Sequence, residues 1–398
     1  MLLFGKQPEY SYFNEILNEE TANEPLSAII DIAAKYHFHG RLWQTFVAWL
    51  IINDENAYSI SRERRKVGDD SLSRLAEGDF SEFYDAFFKK FDKQDILNID
   101  FNLTENKRES NLAQIGMLAS ELASVLCKAK NPSEFKAAAD NFFAEHGVGA
   151  FGLNKAFHLE NGHELSLNAA EYFGPVRFCD IWGYEIQKKE LIDNTELFLC
   201  GKQANNVLLY GDSGTGKSTS IKALLNEYSG RGLRIVEVYK HQFGYLSELI
   251  DILKNRNYYF IIYMDDLSFE DFEIEYKYLK ALIEGGLEPK PNNILIYATS
   301  NRRHLIKESH NDRSDTDDRH RSDTVQEKLS LAERFGVSIF YPKPISSEYN
   351  DIILHLAKQK NIDMNKDELL KKAHVWGMEH GRLSGRVAQQ FINSLQNE

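Results

Sequence analysis

Near the middle of the 398-residue chain stands the sequence Gly211-Asp212-Ser213-Gly214-Thr215-Gly216-Lys217-Ser218, followed by Thr219. It fits the pattern G-x-x-x-x-G-K-S, in which glycines let the backbone curl so that successive N–H groups point at a polyphosphate. The apolar run 206–210 precedes it, and a helical pattern follows it. The loop is therefore expected at a strand-to-helix turn, where the positive end of the helix favours phosphate. We predict that residues 211–219 bind the phosphates of ATP.

Two side chains of this loop and two later carboxylates predict a magnesium site. Lys217 supplies a positive charge for the β- and γ-phosphates, and the Ser218 hydroxyl is a ligand for Mg²⁺. The apolar run 258–264 ends in Asp265 and Asp266. At the carboxyl end of a strand beside the loop, the first carboxylate is expected to hold Mg²⁺ and the second to polarise an attacking water. We therefore predict Ser218 and Asp265 as metal ligands, and Asp265 and Asp266 as catalytic residues.

The composition is that of a globular protein with two or three domains. Hydrophobic residues make up 42% of the chain and charged residues 27%. The net charge of −13 argues against a surface devoted to nucleic acid. Cys127, Cys179 and Cys200 show no C-x-x-C spacing, which predicts free thiols in a reducing compartment and no zinc site. Without a signal-peptide or membrane-spanning pattern, we expect a cytoplasmic protein with no membrane partner.

The periodicity of apolar residues divides the chain into four parts. The pattern over residues 1–150 predicts a mostly helical N-terminal domain, and the looser pattern over residues 151–183 predicts a connector. Residues 184–344 predict an α/β core, because the runs 233–238, 258–264, 294–298 and 337–341 alternate with helical segments, which is typical of a parallel sheet between two helical layers. Residues 345–398 predict a helical lid. The predicted fold class is thus α/β, a three-layer P-loop NTPase core with a C-terminal lid.

Two features of the N-terminal domain carry separate predictions. A helix is expected to begin at Asp79 or Ser81, with a core stripe at helical spacing formed by Phe80, Phe83, Phe87 and Phe91. A compact basic cluster contains Arg62, Arg64, Arg65 and Lys66. A solvated helix end is favoured for this cluster over a contact with a phosphate backbone.

From about Gly183 onwards, the motifs fall in the order of AAA+ ATPases, which this part of the chain resembles. Residues 211–218 match Walker A and residues 261–266 match Walker B, although Asp266 stands where the family usually has glutamate. The resemblance implies that Asn301 is the sensor 1 residue and that Arg386, in the last helical segment, is sensor 2 and contacts phosphate. It also implies that Arg334 is an arginine finger. A helix-end arginine that neutralises the dipole stays an alternative for Arg334.

Three strings more narrowly resemble an uncharacterised bacterial AAA+ family, domain of unknown function 815. They are residues 205–211, 265–269 and 298–305. Membership implies ATP binding and hydrolysis, and it implies no substrate.

The favoured hypothesis is a Mg²⁺-dependent ATPase that forms a homo-oligomer and switches conformation to act on an unknown protein partner. In this hypothesis Arg334 reaches the γ-phosphate of a neighbouring subunit. Three alternatives stay open. A nucleic-acid loader or initiator would contact nucleic acid through residues 62–66 or 302–303 and is less favoured. A phosphotransferase would use the loop of residues 211–218 to phosphorylate a small molecule. A non-hydrolysing ATP-binding scaffold is suggested by Asp266 in place of glutamate.

Overall fold

The computed structural model describes eleven parts of the chain: residues 1–18, 23–63, 70–91, 95–102, 111–161, 165–170, 174–269, 275–284, 291–302, 305 and 331–396. It divides into two compact units, Met1–Lys155 with Ala169–Tyr172, and Ala156–Asn168 with Phe173–Glu398. Several residues singled out in the sequence lie outside the described parts, namely Arg64, Arg65, Lys66 and Arg303.

The first unit is helical, as predicted. Its helices are α1 (Tyr10–Asn18), α2 (Asn23–Lys35), α3 (Leu42–Asn53), α4 (Ala57–Arg62), α5 (Ser71–Phe87), α6 (Asn111–Leu126), α7 (Pro132–His146) and α8 (Gly149–Leu153). The short strands β1 (Gly40–Arg41) and β2 (Asp100–Phe101) pair antiparallel. Helix α3 is buried on all its faces, as a helix in the middle of a bundle must be. The stripe of phenylalanines at 80, 83, 87 and 91 is buried, which confirms its predicted role in the core.

The prediction that the helix carrying the phenylalanine stripe begins at Asp79 or Ser81 is wrong. Helix α5 begins at Ser71 and is capped by Asp70, whose carboxylate accepts the backbone N–H of Ser73. Asp79 lies inside this helix and accepts hydrogen bonds from the backbone N–H groups of residues 2, 3 and 4, at 2.6, 2.7 and 3.0 Å. A buried carboxylate needs such donors, so the residue that resembled a cap anchors the N-terminal segment instead.

The prediction of a solvated helix end is also wrong for Arg62. Its side chain is 4% exposed, and its guanidinium donates to both carboxylate oxygens of Asp70, at 3.1 and 2.7 Å. The guanidinium also lies over the ring of Tyr58, 4.9 Å from the centroid. The geometry is that of a paired arginine inside the domain, which leaves no face of it for a nucleic-acid backbone.

The second unit has the predicted α/β architecture. Its strands are β3 (Ala156–Asn161), β4 (Leu165–Ala169), β5 (Val207–Gly211), β6 (Leu233–Glu237), β7 (Tyr259–Met264), β8 (Ile294–Ser300) and β9 (Val337–Tyr341). They form one sheet in the order β4-β3-β6-β7-β8-β5-β9, and every pair from β3 to β9 is parallel. Strands β3 and β4 come from the segment read as a connector and extend the edge of the sheet. Helices α9 (Glu185–Leu199), α10 (Lys217–Tyr228), α11 (Leu246–Leu253) and α12 (Glu275–Glu284) belong to the same unit.

Three helices close the chain as a lid. They are α13 (Ser346–Gln359), α14 (Lys366–Glu379) and α15 (Gly385–Leu395), which pack around Tyr349, Ile353, Ala373, Ala388 and Ile392. The three cysteines are free thiols, as predicted. Among the described residues, no helix is long and apolar enough to cross a membrane.

Candidate functional site

The topology brings the predicted site residues to one edge of the sheet. Strand β5 lies between β8 and β9, and β7 lies on the far side of β8. The register pairs Tyr210 with Ser300 and Met264 with Ala298, so the residues that follow these strands leave the sheet side by side. Because all four strands are parallel, their carboxyl ends share one edge, which is where open α/β sheets bind ligands.

The loop between β5 and α10 requires glycine at two positions. Gly211 has φ 135°, and a Cβ atom there would lie 2.1 Å from the carbonyl oxygen of Tyr341. Gly214 has φ 80°, and its Cβ would lie 3.0 Å from the Ser384 hydroxyl at the start of the last lid helix. Both backbone conformations are ones that side chains disfavour, so the loop depends on the glycines of the pattern.

Lys217 is folded back onto its own loop. It is 6% exposed, and its ammonium donates to the carbonyl oxygens of Gly211 and Asp212, at 2.8 and 2.7 Å, and to Asn301 Oδ1 at 3.2 Å. Burial lowers the pKa of Lys217 below the ordinary value of a lysine, although Asp212, Asp266 and Asp265 oppose the shift. The charge is therefore held by neutral acceptors that an anion can replace.

Ser218 and Asp265 form the donor set expected of a magnesium site. The Ser218 hydroxyl donates to Asp265 Oδ1 at 2.8 Å, and the Thr299 hydroxyl donates to the same oxygen at 2.5 Å. Burial acts to raise the pKa of Asp265, but the polar groups around its carboxylate, first among them Thr299, outweigh burial and hold the pKa below the usual value. An ionised carboxylate beside a hydroxyl suits Mg²⁺, a hard cation that takes oxygen ligands.

The remaining polar residues of the site are linked to Lys217. Asn301 Nδ2 donates to Asp266 Oδ1 at 2.6 Å, while its other amide atom receives Lys217. Asp266 has φ 50°, a left-handed conformation that is uncommon for a residue other than glycine. Lys217, Asn301 and Asp266 thus form one hydrogen-bonded chain across the edge of the sheet.

These residues line a cavity of about 610 Å³, within the usual range for small-molecule sites. The lid contributes Arg386, whose backbone N–H donates to the carbonyl oxygen of Gly214 at 3.2 Å. The lining also contains apolar side chains, namely Ile181, Trp182, Ile352 and Leu356. Trp182 stacks on His355 of helix α13, with ring centroids 4.8 Å apart.

Most of the residues predicted from the sequence meet in this cavity. Its lining includes residues 213–219, Asp265, Asp266, Asn301 and Arg386, while Gly211 and Asp212 contribute the carbonyl oxygens that hold Lys217. Arg334 does not belong to the lining. It precedes β9, whose far end, Tyr341, pairs with Gly211. At about 3.3 Å per residue, β9 is about 13 Å long, and Arg334 comes before the end of β9 that is far from the loop.

Sequence reasoning missed part of the lining. The missed residues are Asp180, Thr299, Ile352, Leu356, Gly385, Gln389 and Gln390. Two of them could have been predicted from the sequence. Gln389 and Gln390 follow Arg386 at spacings of three and four residues, so they share its face of helix α15. The lid residues Ile352 and Leu356 could not, since an apolar pair at that spacing indicates core packing equally well.

The sheet order, the phosphate-type loop and the C-terminal helical lid define the class of protein. This is the α/β P-loop NTPase fold of the AAA+ type. Residues 153–398 match the family described as Protein of unknown function (DUF815), and the chain belongs to that family. No curated protein matches the chain.

Solved structures similar to this chain include RuvB from Thermotoga maritima. An alanine-to-serine mutant of RuvB has a TM-score of 0.39 and 16% identity, over 57% of this chain and 66% of that chain. A proline-to-glycine mutant has a TM-score of 0.39 and 17% identity, over 56% and 66%. The structure described as the RuvB Holliday junction branch migration motor has a TM-score of 0.34 and 14% identity, over 56% and 72%. This chain spans slightly less than two thirds of the length of the first two RuvB chains.

Proposed function

We propose that the protein binds Mg²⁺–ATP in this cavity and hydrolyses it, and that turnover switches its conformation to act on a protein partner. One observation carries the proposal. A single cavity is lined by apolar side chains together with a phosphate-type loop, a buried lysine and two carboxylates at the edge of a parallel sheet. That combination fits a molecule with a flat apolar base and a polyphosphate chain.

The phosphates are expected to bind at the start of α10. This helix has Gly216 as its N-cap and no side-chain cap, so its first N–H groups point into the cavity. A phosphate oxygen would replace the carbonyl oxygens of Gly211 and Asp212 as the hydrogen-bond acceptor of the Lys217 ammonium, so that a charged acceptor takes the place of neutral ones. Arg386 adds a second positive charge from the lid side of the loop.

Hydrolysis is assigned to the residues at the sheet edge. Ser218 and Asp265 would hold Mg²⁺, which when bound neutralises charge on the phosphates. Asp266 accepts a proton from water or orients it, and Asn301 holds Asp266 on one side and Lys217 on the other. A phosphate that binds Lys217 therefore changes the partners of Asn301 and, through it, those of Asp266.

Arg334 is proposed to complete the site of a second copy. Its position before β9 keeps it from the loop of its own chain, because the strand runs away from it towards Tyr341. An arginine finger supplied by a neighbouring subunit needs a homo-oligomer. In this arrangement the helical domain of residues 1–150 binds the partner, and the lid of residues 345–398 changes conformation when ATP is bound or hydrolysed.

The binding part of the proposal is tested with Lys217→Ala. We expect its affinity for Mg²⁺–ATP, measured by calorimetric titration, to fall at least about 100-fold, because a buried charge partner of the phosphates is lost. Lys222→Ala is the matched control, since Lys222 is an exposed lysine on the same helix that does not line the cavity. Equal affinities of Lys217→Ala and wild type would remove the site assignment.

The shared site is tested by phosphate release at increasing protein concentration. Wild-type turnover per subunit is expected to rise with concentration, and Arg334→Ala to bind ATP normally while losing about 10³-fold or more in turnover. Arg334→Lys keeps the positive charge but not the planar guanidinium, so its turnover should be little higher than that of Arg334→Ala. Turnover of Arg334→Ala equal to wild type would show that Arg334 acts only at the end of its own helix.

A second candidate function, a non-hydrolysing ATP-binding scaffold, is favoured by one observation. The Asp266 carboxylate is bound by Asn301, and aspartate is one methylene shorter than the glutamate usual in AAA+ proteins. ATP binding without phosphate release at any protein concentration would select this candidate.

A further inference from the structure

The end of strand β8 makes three contacts with the turn that carries both carboxylates. The Thr299 hydroxyl donates to Asp265 Oδ1 at 2.5 Å and accepts the backbone N–H of Asp266 at 3.0 Å. Its carbonyl oxygen accepts the backbone N–H of Leu267 at 2.7 Å. The side chain is 1% exposed. Three successive residues of the turn are therefore bonded to one residue.

The directions of these hydrogen bonds are fixed by chemistry. A backbone N–H can only donate, so the Asp266 N–H occupies a lone pair of the Thr299 oxygen and the hydroxyl proton is left for Asp265. A β-branched side chain also has few accessible χ1 rotamers, so the oxygen position varies little. The Asp265 carboxylate is thereby turned so that the oxygen bonded by Thr299 also faces Ser218.

The same hydroxyl supports the backbone of Asp266. This residue has φ 50°, a left-handed conformation that is uncommon for a residue other than glycine. The hydrogen bond from its N–H to Thr299, at 3.0 Å, holds the backbone of the turn in this conformation. One hydroxyl thus sets the orientation of the metal-ligand candidate and the backbone of the acid that follows it.

We propose that Thr299 is the positioning residue of the magnesium site, acting through Asp265 rather than on the nucleotide. The inference rests on the proposed function, because it assigns Thr299 to the Mg²⁺ site of that function. Groups that orient a metal ligand from behind typically contribute 10–100-fold to metal affinity. Removing the Thr299 hydroxyl therefore weakens the affinity for Mg²⁺ by about that factor. The affinity for ATP in the absence of Mg²⁺ does not change.

The neighbouring Ser300 provides a matched control. It is as buried as Thr299, at 1% exposure, and its hydroxyl also contacts the turn, donating to the carbonyl oxygen of Leu267 at 2.8 Å. This hydroxyl has no bond to either carboxylate in the described contacts. Ser300→Ala therefore removes a buried hydroxyl from the same strand end without touching the carboxylates.

The experiment measures ATP affinity first in excess chelator and then along a Mg²⁺ titration. Thr299→Val, which keeps the shape and loses the hydroxyl, should bind ATP without Mg²⁺ within about twofold of wild type. The Mg²⁺ concentration that gives half of the affinity gain should rise about 10- to 100-fold. Thr299→Ser should recover most of the loss, and Ser300→Ala should match wild type along the Mg²⁺ titration.

Each outcome has one meaning. A Mg²⁺ response of Thr299→Val equal to wild type overturns the inference and leaves the proposed function standing. Equal losses in Thr299→Val and Ser300→Ala, with and without Mg²⁺, also overturn it, since both hydroxyls would then only support the fold. Wild-type protein that binds no nucleotide overturns the proposed function itself, and the role of Thr299 falls with it.

Discussion

Two sets of residues line the cavity and are built in different ways. The polar set at the loop and sheet edge is called the loop end, and the set of Ile181, Trp182, Ile352 and Leu356 is called the apolar end. At the loop end, Lys217, Ser218, Asp265 and Asn301 are joined by hydrogen bonds of 2.7–3.2 Å within their own group and to the loop carbonyls. At the other end, apolar side chains come from the segment before α9 and from lid helix α13, with Trp182 stacked on His355. The loop end is thus ordered by polar contacts at a sheet edge, and the apolar end by the packing of a lid. We expect the first to govern turnover and the second to govern only affinity.

Among variants of the two ends of the cavity, the largest effect is expected from Asp266→Ala at the loop end. General acid–base residues contribute about 10²–10⁴-fold to rate, so phosphate release should fall by that factor while ATP affinity changes little. Asp266→Glu restores the residue usual in AAA+ proteins and should keep or increase turnover. Phosphate release by Asp266→Ala at the wild-type rate would show that another group activates the water.

The next effect is expected from Gly211→Ala. The new Cβ atom would meet the Tyr341 carbonyl oxygen at 2.1 Å in a backbone conformation that costs about 1–3 kcal/mol for alanine. We predict a free energy of unfolding lower by at least that amount, measured in urea, together with weaker ATP binding. Gly230→Ala is the control, because nothing lies within 4 Å of its Cβ position. A variant as stable as wild type would mean that the loop can move away from β9.

The sequence predicted the loop end far better than the apolar end. A glycine-rich loop must have a particular residue at each position, so its pattern and the two aspartates after an apolar run were readable without a structure. The strands from β5 onwards followed from their apolar runs. Strands β3 and β4 fall in the predicted connector and not in the predicted core, because such short segments carry a weak pattern. Thr299 was missed because its role depends on the register of β8 beside β7, and a single sequence does not give that register.

A smaller effect is expected at the apolar end from Trp182→Ala. The loss of a stacked aromatic wall should weaken ATP binding by about five- to tenfold, as expected for about 1 kcal/mol. Binding of inorganic tripolyphosphate, which has no base, should stay unchanged. Ile186→Ala is the control, since Ile186 is 79% exposed and does not line this cavity. Equal weakening of ATP and tripolyphosphate would contradict the division of the cavity into two ends.

The smallest effect is expected from pH. Because burial lowers the pKa of Lys217, this lysine loses its charge at a lower pH than an exposed lysine does. Tripolyphosphate affinity should therefore fall a few-fold as pH rises from neutrality towards the ordinary pKa of a lysine. The lowered pKa means that the unfolded chain binds the proton more tightly, so the ligand-free protein should gain stability over the same range. An affinity independent of pH would show that the charge of Lys217 does not contribute to binding.

A crystal structure of the protein with Mg²⁺ and a non-hydrolysable ATP analogue tests the proposed ATP site most directly. We predict the base against Ile181 and Leu356, the γ-phosphate on Lys217, and Mg²⁺ between Ser218 and Asp265. Lys217 should no longer contact the carbonyl oxygens of Gly211 and Asp212. An analogue bound elsewhere, or a site in which Lys217 keeps both carbonyl contacts, would contradict the account.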